Sequence, residues 1–258
     1  MSNPAPQTWQ VLGLDALGVV GSVLLLLRIS NKAKGVWGEK ITGGSPAWSW
    51  RVAAGTQTVL GLLTLRTAQQ FHGAEWSDGT KNASGAVDWL RTKWDIYGTA
   101  HAHERLFHWF FLGYLVKDCL PGVCEMQAAM WLHHGLCGTL IALSLLQVLD
   151  VGHNACQAGA TLLEMGSLAL ALAQCFPESI LMNHASMVVM TASNALALWL
   201  TYFFVEDPAF ANIGVIQFVY AVAIAALVCA RQAASFQNYK ANAAVHAEDY
   251  SGGKPKGA

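Results

Sequence analysis

The chain has 258 residues, 54% of them hydrophobic and only 12% charged, with a net charge of −1 and a mean hydropathy of +0.36. Soluble domains carry about 25% charged residues, so this balance speaks against a soluble domain and for a polytopic membrane protein. The near-zero charge and the lack of a basic stripe speak against nucleic acid as a partner.

Seven apolar runs read as membrane spans, against a need of ~20 residues for an upright helix. The first is Val11–Leu27. The segment before it, "MSNPAPQTWQ", has no basic n-region, so the run reads as a retained span rather than a cleaved signal. The second, about Val52–Leu65, is short and carries Thr56, Gln57 and Thr58. The third is about Leu106–Leu120, the fourth about Met126–Leu149 and the fifth Ala155–Phe176. The sixth is Ala185–Val205 and the seventh Phe210–Ala230. Short connections after the third span make spans three to seven antiparallel neighbours. The segment from 232 to 258 has no apolar period and reads as a disordered cytosolic tail.

Basic residues set the orientation. Arg28, Lys32, Lys34, Lys40 and Arg51 follow span one, and Arg231, Lys240, Lys254 and Lys256 follow span seven. Seven spans place these two regions on one side, the cytosolic one, with the N-terminus lumenal. The sequon "NAS" at Asn82–Ser84 then falls on the lumenal side, where Asn82 would be glycosylated. Lys81, Arg91 and Lys93 in the same loop weigh against that side. Trp48, Trp50, Trp76, Trp89 and Trp94 lie near span ends, as interfacial anchors would.

Ionisable residues within spans are costly and tend to face the bundle interior with a partner. Asp15, Arg66, Asp118, His133, His134 and Glu164 are the candidates. In "MWLHHGLCGTL", His133 and His134 lie ~10 Å into the fourth span from its cytosolic end. Adjacent helical positions point ~100° apart, so one ring can face a cavity while the other pairs with a neighbouring helix. Asp118 on the third span or Glu164 on the fifth is the carboxylate that would orient a reacting imidazole. A purely structural role, bonding across helices, is the competing reading.

A second cluster, "HAHERLFH", holds His101, His103, Glu104 and His108 with helix-face spacing. It matches neither a zinc helix nor the repeated histidine boxes of di-iron oxygenases, so no metal is assigned. Cys137, Cys156, Cys175 and Cys229 sit in or beside apolar runs, where cysteine acts as a small hydrophobe. Gly55, Gly61, Gly113 and Gly166 read as sites of close helix packing.

Taken in order, these features resemble the TLC domain, the membrane domain shared by ceramide synthases, translocating-chain-associated proteins and small lipid-homeostasis proteins. The carriers are "WSWR" at Trp48–Arg51, "GYLVKD" at Gly113–Asp118, "LHHGLCGTLIALSLL" at Leu132–Leu146 and "TLLEMGS" at Thr161–Ser167. The resemblance implies an all-α bundle with a six-helix core around a cavity for a lipid or acyl chain. The N-terminal helix and loop would span 1–47 and the TLC-like domain 48–231. It also implies residence in the endoplasmic reticulum and a role in lipid homeostasis. The histidine pair would support acyl transfer from acyl-CoA to a long-chain base, as in ceramide synthases, with His133 and His134 as the reacting pair. Asp118, Glu164 and Tyr114 would line the cavity. The H-D-x-x-D arrangement that follows the pair in those enzymes is absent here: Asp150, His153 and Glu164 come instead. The small TLC proteins therefore fit better. The expected function is lipid binding or sensing that influences membrane lipid composition, with sphingolipid N-acyl transfer as the alternative. No cofactor is expected beyond acyl-CoA as a co-substrate.

Overall fold

The computed structural model describes residues 6–38, 41–42, 45–76, 89–90, 102–123, 128–146, 153–207 and 214–252. Seven long helices run among the described residues: α1 (Pro6–Trp37), α2 (Ala47–Trp76), α3 (Ala102–Asp118), α4 (Ala128–Leu145), α5 (His153–Cys175), α6 (Ile180–Glu206) and α7 (Gly214–Gly252). Each expected span overlaps one of them. Two short strands, β1 (Ile41–Thr42) and β2 (Ser45–Pro46), pair antiparallel between α1 and α2. Local chemistry sets the helix ends. Gly38 takes φ 68° after α1 and its N–H returns to the Lys34 carbonyl at 3.0 Å, a C-terminal cap that a side chain would strain. The Ser179 hydroxyl accepts from the Met182 N–H at 3.3 Å and caps the start of α6.

Among the described residues, four helical stretches are long and apolar enough to cross a membrane: Val11–Trp37, Asn154–Cys175, Ile180–Glu206 and Gln217–Lys240. Met130–Leu145 is apolar but shorter. The radial distribution of side chains fits a bilayer as solvent. Leu17, Leu181 and Val215 are 71%, 75% and 80% exposed, while Gln57, His108, Gln157 and Glu164 are at most 4% exposed. An apolar surface over a polar interior suits a chain surrounded by hydrocarbon, where polar groups gain by turning towards one another.

Helix neighbours close a ring in the order α2, α3, α4, α7, α6, α5 and back to α2, with α1 packed outside against α2 and α3. A core of Leu26, Leu60, Phe107, Phe111, Leu115 and Ile141 fills the junction of α1 to α4. Polar rungs stitch α2 to α5. Thr64 and Thr161 share a hydroxyl–hydroxyl bond of 2.6 Å, and Gln157 Nε2 donates to Thr64 and Thr67 at 3.2 Å each. In an apolar surround such bonds hold helices together at ~0.6–2 kcal/mol each.

Outside the ring, α1 is held on α3 by Asp15, which accepts from Trp109 Nε1 at 2.7 Å and pairs with Arg105 Nε at 3.2 Å. Gly113 lets the two backbones meet, because a Cβ there would stand 2.6 Å from Ser22 Cβ and 3.2 Å from the Val23 backbone nitrogen. Gly113→Val should therefore destabilise the bundle by about 1–3 kcal/mol, read as a lower unfolding temperature in detergent. Gly166 is as tightly enclosed, with the Met190 sulfur 2.9 Å from its notional Cβ. Gly55 is not: open space surrounds it, so its expected packing role does not hold.

Two further expectations change. The stretch from 232, read as disordered, is helical as far as Gly252. Its alanines, the best helix formers, explain this better than the missing apolar period does. Trp48 packs with Ala33 and Val52, and Trp89 with Ala155 and Leu200, so neither ring is an exposed interfacial anchor. Asn82, with the lumenal assignment of its loop, lies outside the described residues.

Candidate functional site

His133 and His134 lie in the second turn of α4 and diverge as adjacent helical positions must. Each has its own carboxylate from a different neighbouring helix. His133 Nε2 is 3.3 Å from Glu164 Oε1 on α5. His134 Nε2 is 3.4 Å from Asp118 Oδ2 at the end of α3. The two rings stand edge to face, with centroids 5.4 Å apart. The pair thus joins α3, α4 and α5 at one point of the bundle. The four residues singled out in sequence meet pairwise, one carboxylate for each histidine, but neither they nor Tyr114 are among the residues that line the apolar cavity, where Asp118, Glu164 and Tyr114 were expected.

The second partners define the protons. His134 Nδ1 faces the Met130 carbonyl at 2.9 Å, so Nδ1 carries a hydrogen. Nε2 faces the Asp118 carboxylate at 3.4 Å. Lys117 Nζ, 2.5 Å from Asp118 Oδ1 and 5.1 Å from the centre of the Tyr114 ring, completes this half of the site. The Tyr114 ring lies 6.4 Å from that of His134 and is buried.

His133 is arranged differently. Its Nε2–H points at Glu164, which leaves Nδ1 as an acceptor facing the Cys137 thiol, with 3.6 Å between sulfur and nitrogen. Glu164 is fixed in turn by Gln57 Nε2 of α2, which donates to Oε2 at 3.0 Å. The ring thus stands between the Glu164 carboxylate and the Cys137 sulfur, with one nitrogen facing each.

Beside this chain of groups lies an apolar cavity of about 80 Å³ inside the ring. All ring helices but α2 line it, through Phe111, Cys137, Ile141, Leu163, Leu200 and Ile224 among others. Nearby, Arg231 of α7 reaches back into the bundle. Its Nη2 donates to the Leu163 carbonyl at 2.6 Å and the Ser167 hydroxyl at 3.0 Å. Its Nη1 is buried and makes no hydrogen bond among the described residues.

Gln57, Lys117, Cys137 and Arg231 were not picked out by sequence. Gln57 counted only as a weakness in the second span, and Arg231 as part of the positive tail. Cys137 stands one helical turn after His133, the one signal that spacing offered. In the second histidine cluster, His108 is fully buried and its Nδ1 bonds the Glu104 carbonyl at 2.7 Å. Arg105 there pairs with Asp15, and His101 lies outside the described residues. Among the described residues, no three histidine, cysteine or acidic side chains converge as metal ligands.

Fold and site together define an all-helical chain with the build of an integral membrane protein and two carboxylate-paired histidines beside an apolar cavity. Comparison with protein-family models, curated proteins and solved structures found no match.

Proposed function

We propose that this chain is a multi-pass membrane protein of TLC type that takes an acyl chain into the cavity within its helical ring. In doing so it senses lipid or alters membrane lipid composition. All seven helices cross the bilayer, with the N-terminus lumenal and the helix α7 end cytosolic, and the membrane is that of the endoplasmic reticulum. The observation that carries the reading is the adjacency of an apolar cavity to a buried polar cluster. The first suits a hydrocarbon chain, and the second suits the carboxyl or amide end of a lipid. The positive residues between α1 and α2, together with Lys240, Lys254 and Lys256, support the orientation.

Lipid extraction of the detergent-purified protein, followed by mass spectrometry, tests this. A lipid bound at close to one per chain is expected. Ala160 lines the cavity, so Ala160→Phe should obstruct it and release most of that lipid while the protein stays folded. A wild-type protein without bound lipid would sink the reading.

The second reading is an acyltransferase of ceramide-synthase type, moving an acyl group from acyl-CoA to a long-chain base. The pairing of each histidine with a carboxylate favours it, because an oriented imidazole is what general-base or acyl-carrier chemistry requires. Membranes incubated with labelled acyl-CoA and a long-chain base should yield product, reduced ~10²-fold or more by His133→Ala. Undiminished product from both His133→Ala and His134→Ala would exclude the pair from the reaction.

A further inference from the structure

We propose that Cys137 is a nucleophile that carries the acyl group as a thioester, activated by His133 and Glu164. This rests on the acyl-chain reading of the cavity given above. The cysteine is not isolated. Its sulfur lies 3.6 Å from His133 Nδ1, the ring's other nitrogen lies 3.3 Å from Glu164 Oε1, and Gln57 holds the far carboxylate oxygen at 3.0 Å. Nucleophile, base and orienting carboxylate thus stand in line, the order in which activated thiols are built. The sulfur also lines the apolar cavity, so an acyl group attached there would extend into a space shaped for hydrocarbon. Spacing builds the first contact, since positions 133 and 137 are one turn apart on α4. The fold builds the second, since Glu164 arrives from α5.

The chemistry balances without a redox partner. The co-substrate is an acyl thioester of a carrier thiol such as coenzyme A. As the Cys137 sulfur attacks the carbonyl carbon, its proton passes to His133 Nδ1. A new sulfur–carbon bond forms, the bond from carbon to the carrier sulfur breaks, and His133 returns the proton to the departing thiolate. The products are acyl-Cys137 and free carrier thiol. An amine or hydroxyl acceptor then attacks the acyl-Cys137 carbonyl, gives its proton through His133 to the cysteine sulfur, and leaves with the acyl group.

The test uses the full chain in membranes, an alkyne-tagged long-chain acyl-CoA and no acceptor. The wild-type protein should acquire a covalent label that neutral hydroxylamine removes, and peptide mapping should place it on Cys137. Cys137→Ala should abolish the label, and His133→Ala should slow its formation ~10²-fold. Cys229→Ala, which alters an exposed thiol outside the cavity lining, should leave it intact. Lipid bound without covalent attachment is measured on the same wild-type and Cys137→Ala samples. Bound lipid with no hydroxylamine-sensitive label, or a label equal in wild type and Cys137→Ala, overturns the nucleophile and leaves the binding reading standing. Neither lipid nor label on the wild type overturns both.

Discussion

Glu164→Leu should lower the stability of the bundle by about 3 kcal/mol, the scale for removing one partner from a buried polar network. Glu164 is 2% exposed and accepts from groups on two other helices, His133 on α4 and Gln57 on α2. Leucine fills the volume but leaves both buried donors facing an apolar side chain. On a scale of ~2–4 °C per kcal/mol for chains of this size, the unfolding temperature in detergent should fall by about 10 °C. Glu164→Gln keeps an acceptor and the volume, so it should cost much less. The two variants should differ little in acyl transfer, since neither leaves a carboxylate to orient His133. A leucine variant as stable as the wild type would mean that α2, α4 and α5 are not joined through Glu164.

The second large effect lies where α1 meets α3. Asp15→Leu should cost about 3 kcal/mol, because it strips the acceptor from both Trp109 Nε1 and Arg105 Nε where α1 meets α3. The Arg105 guanidinium then loses the ion-pair partner it has among the described residues. Arg105→Met on top of Asp15→Leu removes that charge and should recover about half of the loss. The coupling is read from a double-mutant cycle on thermal unfolding. Strict additivity of the two substitutions would show that the ion pair does not hold α1 in place. Since α1 stands outside the six-helix ring, acyl-chain binding should survive both changes.

The polar centre was legible in sequence to the extent that ionisable groups in apolar runs are few and expensive. His133, His134, Asp118 and Glu164 stand out for that reason, and the structure joins them pairwise. The pairing itself depends on helix rotation, which periodicity leaves open when the surface is as apolar as the core. Gln57 was hidden because it lies 107 positions from its partner. Cys137 was hidden because a thiol among leucines looks like filler until an imidazole is seen beside it. Arg231 follows the last apolar run and so counted as a surface charge, yet its side chain folds back to the Leu163 carbonyl. The helical stretch beyond 231 has no amphipathic period to announce it, and its alanine content sustains the helix instead.

That last helix has a mechanical consequence. Tyr220 and Ile224 on the wall of the cavity belong to the same unbroken rod as Gly252. At ~1.5 Å per residue, the arm from the cavity to the end of α7 is about 40 Å long. Tyr239 grips His184 near the start of α6 by a 2.9 Å hydrogen bond, which gives the rod a fulcrum part of the way along. A tilt of α7 by ~5° about that fulcrum would swing its far end by about 2 Å, on the ~20 Å of helix that lie beyond Tyr239. A spectroscopic label near residue 245 would therefore act as the pointer of a gauge, reporting whether the chamber far below it is filled or empty.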